Sequence, residues 1–153
     1  MADIKVVDRG NIRRELAAFL KGSMSTPKQV FPYVPASFVS QTPLTCVTSA
    51  PTERVRETPE TYGNQFGFSI RNYTVYSLES DTSWTPEMAE NMLDKLEWET
   101  SIALLKADQQ SRNHSWHSIS RNGPSIIDLV KIGGVTYLEE IIPVMVEVDD
   151  ESQ

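Results

Sequence analysis

Cysteine is almost missing from this chain: Cys46 is the single one among 153 residues. One thiol builds neither an internal disulfide framework nor a cysteine-cluster zinc site, and the expected setting is a reducing cytoplasm. Histidine is nearly as scarce, with two. No apolar run approaches the roughly 18 residues that a membrane-crossing helix needs. Met1 to Gly10 is charged throughout and does not read as a signal peptide. Glycine (7) and proline (9) stand at ordinary counts, which excludes collagen-like, wholly disordered and coiled-coil chains.

Positive charge is also short, with 14 Lys and Arg against 21 Asp and Glu for a net −7. Phosphate binding needs a concentrated basic surface, so nucleic acid is not expected as the main partner. The deficit is uneven. Residues 1–56 hold eight basic against four acidic side chains, a balance of +4, while residues 57–153 hold six against seventeen, a balance of −11. Two solvated faces account for this, as does a basic part of one copy facing the acidic part of another.

What is present suffices for one domain: 39% apolar residues in 17.2 kDa support a single core. Residues 1–153 are read as one domain, with 1–10 and 149–153 as flexible ends. Ile12, Leu16, Phe19 and Leu20 recur at helical spacing and predict a helix over Asn11 to Lys21. Asn11 is its expected N-cap and Gly22 its left-handed C-terminal residue. Six prolines between Ser23 and Pro59 leave room for short strands at Val30–Tyr33 and Leu44–Ser49. Phe31, Tyr33, Val34, Phe38 and Val39 are expected to lie on the core as extended chain. Thr52 to Asn64 reads as a mobile polar loop.

Phe66 to Leu78 predicts a long strand. Phe66, Phe68 and Ile70 share one parity, whereas Tyr73 and Val75 take the other. A bulge near Arg71–Asn72, or burial on both faces, explains the slip. Thr85-Pro86-Glu87 then marks a helix start, with an N-cap, a proline at the first position and an acid in the first turn. That helix runs to about Ala107, burying Ala89, Met92, Leu93, Leu96, Ala103 and Leu104, with Glu90, Asp94, Glu97 and Glu99 on its polar side. A polar loop follows at Asp108 to Asn113, then a short strand at Trp116–Ile119 and a turn at Arg121 to Pro124. Ile126–Ile132 and Val135–Val148 form a hairpin through Gly133-Gly134. Pro143 argues for an edge position or a bulge there. The expected class is α+β, a mostly antiparallel sheet with two helices packed on one face.

No catalytic constellation emerges. His114 and His117 stand three apart in a segment that does not read as helical, where odd spacing sends two rings to opposite faces. Cys46 in its apolar strand reads as a buried inert thiol. Glu139 and Glu140 are adjacent on a strand, so they point to opposite faces and do not act together. Gly133-Gly134 lacks the lysine and following helix of a phosphate loop. Arg54 and Arg56 lie in the proline-bounded segment beside Glu53 and Glu57, as a partner-binding loop or as solvated charge. Trp84 and Tyr62 flank elements, as interface or as core aromatics. No cofactor and no metal is expected.

Element order and particular phrases nonetheless resemble a known group. The first helix is followed by Val30-Phe31-Pro32-Tyr33-Val34-Pro35-Ala36-Ser37-Phe38 and by Pro43-Leu44-Thr45-Cys46-Val47-Thr48-Ser49-Ala50. The aromatic strand, the Trp84-Thr85-Pro86-Glu87 helix start, and Ile132-Gly133-Gly134-Val135-Thr136-Tyr137 leading to Ile141-Ile142-Pro143-Val144 come next. This is similar to the tail terminator (tail completion, head-to-tail joining) proteins of long-tailed bacteriophages, over roughly residues 10–148.

The resemblance implies a non-enzymatic virion protein, assembled in the host cytoplasm as a homohexameric ring on the tail tube. Such a ring halts tube growth and offers the joining surface to the neck. Its partners are then its own copies, the tube protein, the sheath protein where one exists, and the connector, with DNA passing through. Arg13, Arg14, Arg54, Arg56 and Trp84 are the candidate interface residues. Another neck component, such as a head-closure or connector-adaptor protein, is the alternative, and a small cytoplasmic enzyme a more distant one.

Overall fold

The computed structural model of the chain describes residues 4–56, 62–78, 83–149 and 151–152. Its elements in chain order are β1 (Ile4–Lys5), α1 (Arg9–Ser23), β2 (Gln29–Phe31), β3 (Leu44–Ser49), β4 (Glu53–Arg56) and β5 (Tyr62–Ser77). Then follow α2 (Pro86–Gln109), a 3-10 turn at Ser111–Asn113, β6 (Ser118–Arg121), β7 (Ile126–Ile132), β8 (Val135–Asp149) and β9 (Glu151–Ser152). The architecture is α+β.

Two long antiparallel strands, β5 and β8, form the spine of a seven-stranded sheet. Each carries two shorter strands end to end on its outer side. β3 and β4 pair with β5, and β6 and β7 pair with β8. β2 adds outside β3 and is the one parallel neighbour among the described strands. β1 and β9 pair with each other, so the backbones of the two expected flexible ends meet.

Both helices pack on one face of this sheet. Ile12, Leu16 and Leu20 of α1 and Leu96, Ala103 and Leu104 of α2 close over Phe66, Phe68, Ile70, Ile142, Val144 and Val146. The alternation that places these strand residues on one face is the ordinary period of two. α2 begins as its sequence dictates. The Thr85 hydroxyl accepts the Met88 amide at 3.2 Å, and Pro86 occupies the first turn.

A second, smaller core occupies the opposite face and explains the parity slip in β5. Tyr73, Leu44, Cys46 and Tyr137 gather there beneath Phe38, whose ring meets Tyr73 and Tyr137 edge-on at 4.7 and 5.1 Å. β5 is therefore buried on both faces. Its register runs unbroken through Arg71–Asn72, and the irregularity falls between Val75 and Ser77.

Several expectations need correction. α1 starts at Arg9, because Asp8 and not Asn11 caps it, accepting the Gly10 amide at 2.7 Å. Gly22 is helical, and Met24 ends the helix in extended conformation. The Thr52–Asn64 stretch is not a loop throughout: Glu53–Arg56 continues the edge beyond β3 by pairing antiparallel with Tyr62–Gln65 of β5, and 57–61 lie outside the described residues. The first short strand stops at Phe31, before Pro32, and only part of the following segment packs. Phe38 is buried, while Tyr33, Val34 and Val39 stay exposed. The Asp108–Asn113 loop is partly helical, with α2 running on to Gln109. Trp116 precedes β6, which takes in Arg121 instead.

Pro143 sits in a central strand, not at an edge and without a bulge, opposite Ser69. Its carbonyl accepts the Asn122 amide, so its backbone polar groups face the gap between the end of β6 and the start of β7. Proline there sacrifices no ladder bond with β5.

Candidate functional site

The groups that could carry chemistry do not converge. His114 stacks on Trp116 (4.4 Å between centroids, 12° apart), with Phe19 edge-on at 5.1 Å. His117 instead meets Asp149, Nε2 to Oδ2 at 2.8 Å, on the surface. The two rings have separate partners. Cys46 is fully buried and its thiol is pushed up to about 12, chiefly by that burial. Among the described residues, no group of three His, Cys, Asp or Glu side chains is placed to hold a metal ion.

Glu139 and Glu140 do point to opposite faces. Glu139 lies 3.7 Å from Arg71 Nη1 on the Phe38 side. Burial, and a hydrogen bond to Glu139, hold the Tyr73 hydroxyl well above its ordinary value. Glu140, on the helix side, accepts the Ser125 hydroxyl at 2.6 Å. Burial pushes its carboxyl upward against that bond, and Glu97 and Asp94 add to the push while Arg121 opposes it.

The interface candidates divide. Arg14 is exposed, donating to Asn11 Oδ1 at 2.7 Å. Arg13 is half-buried, turned toward the end of β3, where Nη1 reaches Ser49 Oγ at 3.2 Å. Arg54 is exposed but folded back over the Phe66 ring at 5.2 Å, donating to Asn64 Oδ1 and to the Val7 carbonyl. The Arg56 side chain lies outside the described residues, although its backbone pairs in β4; the Tyr62 side chain also lies outside them. Trp84 serves the fold. Its indole N–H donates to the Val75 carbonyl at 2.7 Å and its ring packs beside Ala89, Leu93 and Leu138. It also lines a cleft of about 310 Å³ with Lys28, Pro43, Thr74 and Met92.

Three features were not picked out by sequence reasoning. Glu99, expected on the polar side of α2, is buried and accepts hydrogen bonds from Ser25 and Thr26. The signal was in its spacing: Glu99 stands three residues after Leu96 and four before Ala103, at the border of the apolar stripe, where an acid reads as solvated. β7 is the second feature. It has β8 as its one neighbour among the described strands, and it leaves Ile126, Ile127 and Leu129 between 52 and 59% exposed. Such exposure was available in principle, since four aliphatics in Ile126–Val130 exceed what one buried face of an edge strand absorbs. The third is an opposition of charge between the two faces of the sheet at the β4 end. There Arg54 belongs to the helix face, whereas Glu53 and Val55 share the open face with Gln65 and Glu147.

Compared with protein-family models and with curated proteins, the chain matches none. No helix among the described residues is long and apolar enough to cross a membrane.

Proposed function

We propose that this chain is a structural assembly protein, a tail terminator that forms a ring at the head-proximal end of a phage tail tube. The observation that carries the assembly role is β7. An outer strand with open backbone groups and three exposed aliphatic side chains is a hazard for a chain that works alone. A protein whose work is to be covered by partners has a use for it. Ile126 faces one side of the sheet, paired with Ile141, while Ile127 and Leu129 face the other beside Glu140 and Leu138. A partner that adds to this edge buries apolar surface on both sides of the strand at once.

The resemblance in element order supplies the particular assembly: copies of the chain, the tube protein beneath and the neck above, in the virion. Capping is then steric. A closed ring presents a surface that no further tube subunit matches, and the connector engages that surface instead.

Electron microscopy of tubes from the cognate phage, assembled with and without the purified chain, tests the reading. The expected result is a ring at one tube end and a narrower length distribution. Tubes left bare, with the chain bound to filled heads instead, would assign it to head closure.

A further inference from the structure

We infer that copies of this chain associate front to back, with the arginine corner on the helix-covered face of one copy against the carboxylates on the open face of the next. This deepens the ring reading and rests on it for closure; the contact itself rests on where the charges lie.

Four guanidinium groups gather where α1 begins and β3 passes into β4. Arg9 Nη1 donates to Thr52 Oγ1 at 3.2 Å, and with Arg54 it borders an open cleft. Arg13, Arg14 and Arg54 donate to Ser49, Asn11, Asn64 and the Val7 carbonyl. Every one of these acceptors is a neutral oxygen. The ion pairs among the described residues involve Arg71, His117 and Arg121, and none of these four. Two acids adjoin this corner: the Asp8 carboxylate is engaged by the Gly10 and Asn11 amides, and Asp149, which lines a cleft with Asp8 and Asn11, is engaged by His117. Each guanidinium carries five donors in a fork that suits a carboxylate, and most of them are unused. Arg13 Nε is buried with no hydrogen-bond partner.

The opposite face at the same end of the sheet is acidic. Antiparallel partners share a face, so Glu53, Gln65 and Glu147 stand in one row there. Gln65 and Glu147, with Val55, Gly63 and Asp149, line a depression of about 190 Å³, and Glu53 stands beside Gln65 in the register. Glu53 and Glu147 are exposed, and Glu147 holds the Ser118 hydroxyl. Unlike faces on one molecule match each other, and not themselves. A contact of that kind is heterologous, and it grows into a ring when its rotation closes.

Charge exchange tests this, read by sedimentation velocity at low salt, where surface charge is least screened. One variant carries Arg9→Glu and Arg14→Glu; the second carries Glu53→Lys and Glu147→Lys. The wild-type chain is expected to self-associate, and less so as salt rises. Each variant alone should associate at least about tenfold more weakly, because like charges now meet. Their equimolar mixture should recover wild-type association, since each reversed face finds its complement on the other variant. Recovery also shows that both variants are folded. Wild-type association by either variant alone, failure of the mixture to recover, or a wild-type chain that stays monomeric would overturn the contact. Self-association by this pattern without capping of tubes would defeat the tail reading and leave the contact standing.

Discussion

Glu99 of α2 binds the chain that leaves α1, accepting the Ser25 amide at 2.7 Å and the Thr26 amide at 3.0 Å, together with both hydroxyls. Burial pushes this carboxyl upward, but the four donors outweigh burial and hold it below its ordinary value. A depressed acid adds stability above its unfolded value, and that stability is lost as pH falls through the folded one.

Glu99→Ala should therefore destabilise the fold by about 2–4 kcal/mol at pH 7, because two amides and two hydroxyls lose a charged acceptor. Urea titrations at pH 7 and at about pH 3, below the usual glutamate value near 4.3, check this. The gap between wild type and variant should shrink at the lower pH.

Glu140 has the opposite sign. Its raised carboxyl favours the protonated form in the folded state, so ionisation weakens the fold as pH rises above the unfolded value. Glu140→Gln keeps an acceptor for Ser125 and removes the charge. Its melting temperature should match or exceed wild type at pH 7, and any advantage should vanish at about pH 4 and below.

Gly67 permits the β3–β4 connection to pass closely beside β5. A Cβ there would stand 2.4 Å from the Pro51 carbonyl oxygen, and Gly67→Ala should lower stability by about 1–3 kcal/mol. Gly22, helical and with nothing within 4 Å of its would-be Cβ, makes the contrast. Gly22→Ala should raise stability by about 0.5–1 kcal/mol. Thermal melts of the two variants decide it.

Cys46, fully buried with its thiol held near 12, should resist a thiol-reactive dye in the native protein at pH 8. It should react at once in urea. Native labelling at the denatured rate would mean that the second core opens readily.

Much of this fold was legible because local signals and burial agree. Thr85-Pro86 fixes the start of α2 by capping alone, and Gly133-Gly134, both at positive φ, fixes the hairpin of β7 with β8. The parity change at Tyr73 leaves a bulge and burial on both faces as rival explanations; the choice depends on Phe38 arriving from a proline-rich segment with no periodicity. Misreadings came where a residue had a rival. Asp8 and Asn11 both suit an N-cap, and only the chain geometry chooses. Pro143 reads as an edge residue until the gap between β6 and β7 is known. The arginines were picked out by their charge, but their grouping on one face opposite Glu53 and Glu147 follows from register, which sequence periodicity does not supply.

The central claim is assembly into a ring, and native mass spectrometry over a wide concentration range, alone and with cognate tubes, tests it most directly. The expected result is a discrete hexamer, lost when Ile127→Lys and Leu129→Lys place charge on the exposed edge of β7. A stable two-fold dimer, or a chain that remains monomeric even with tubes present, would contradict the claim.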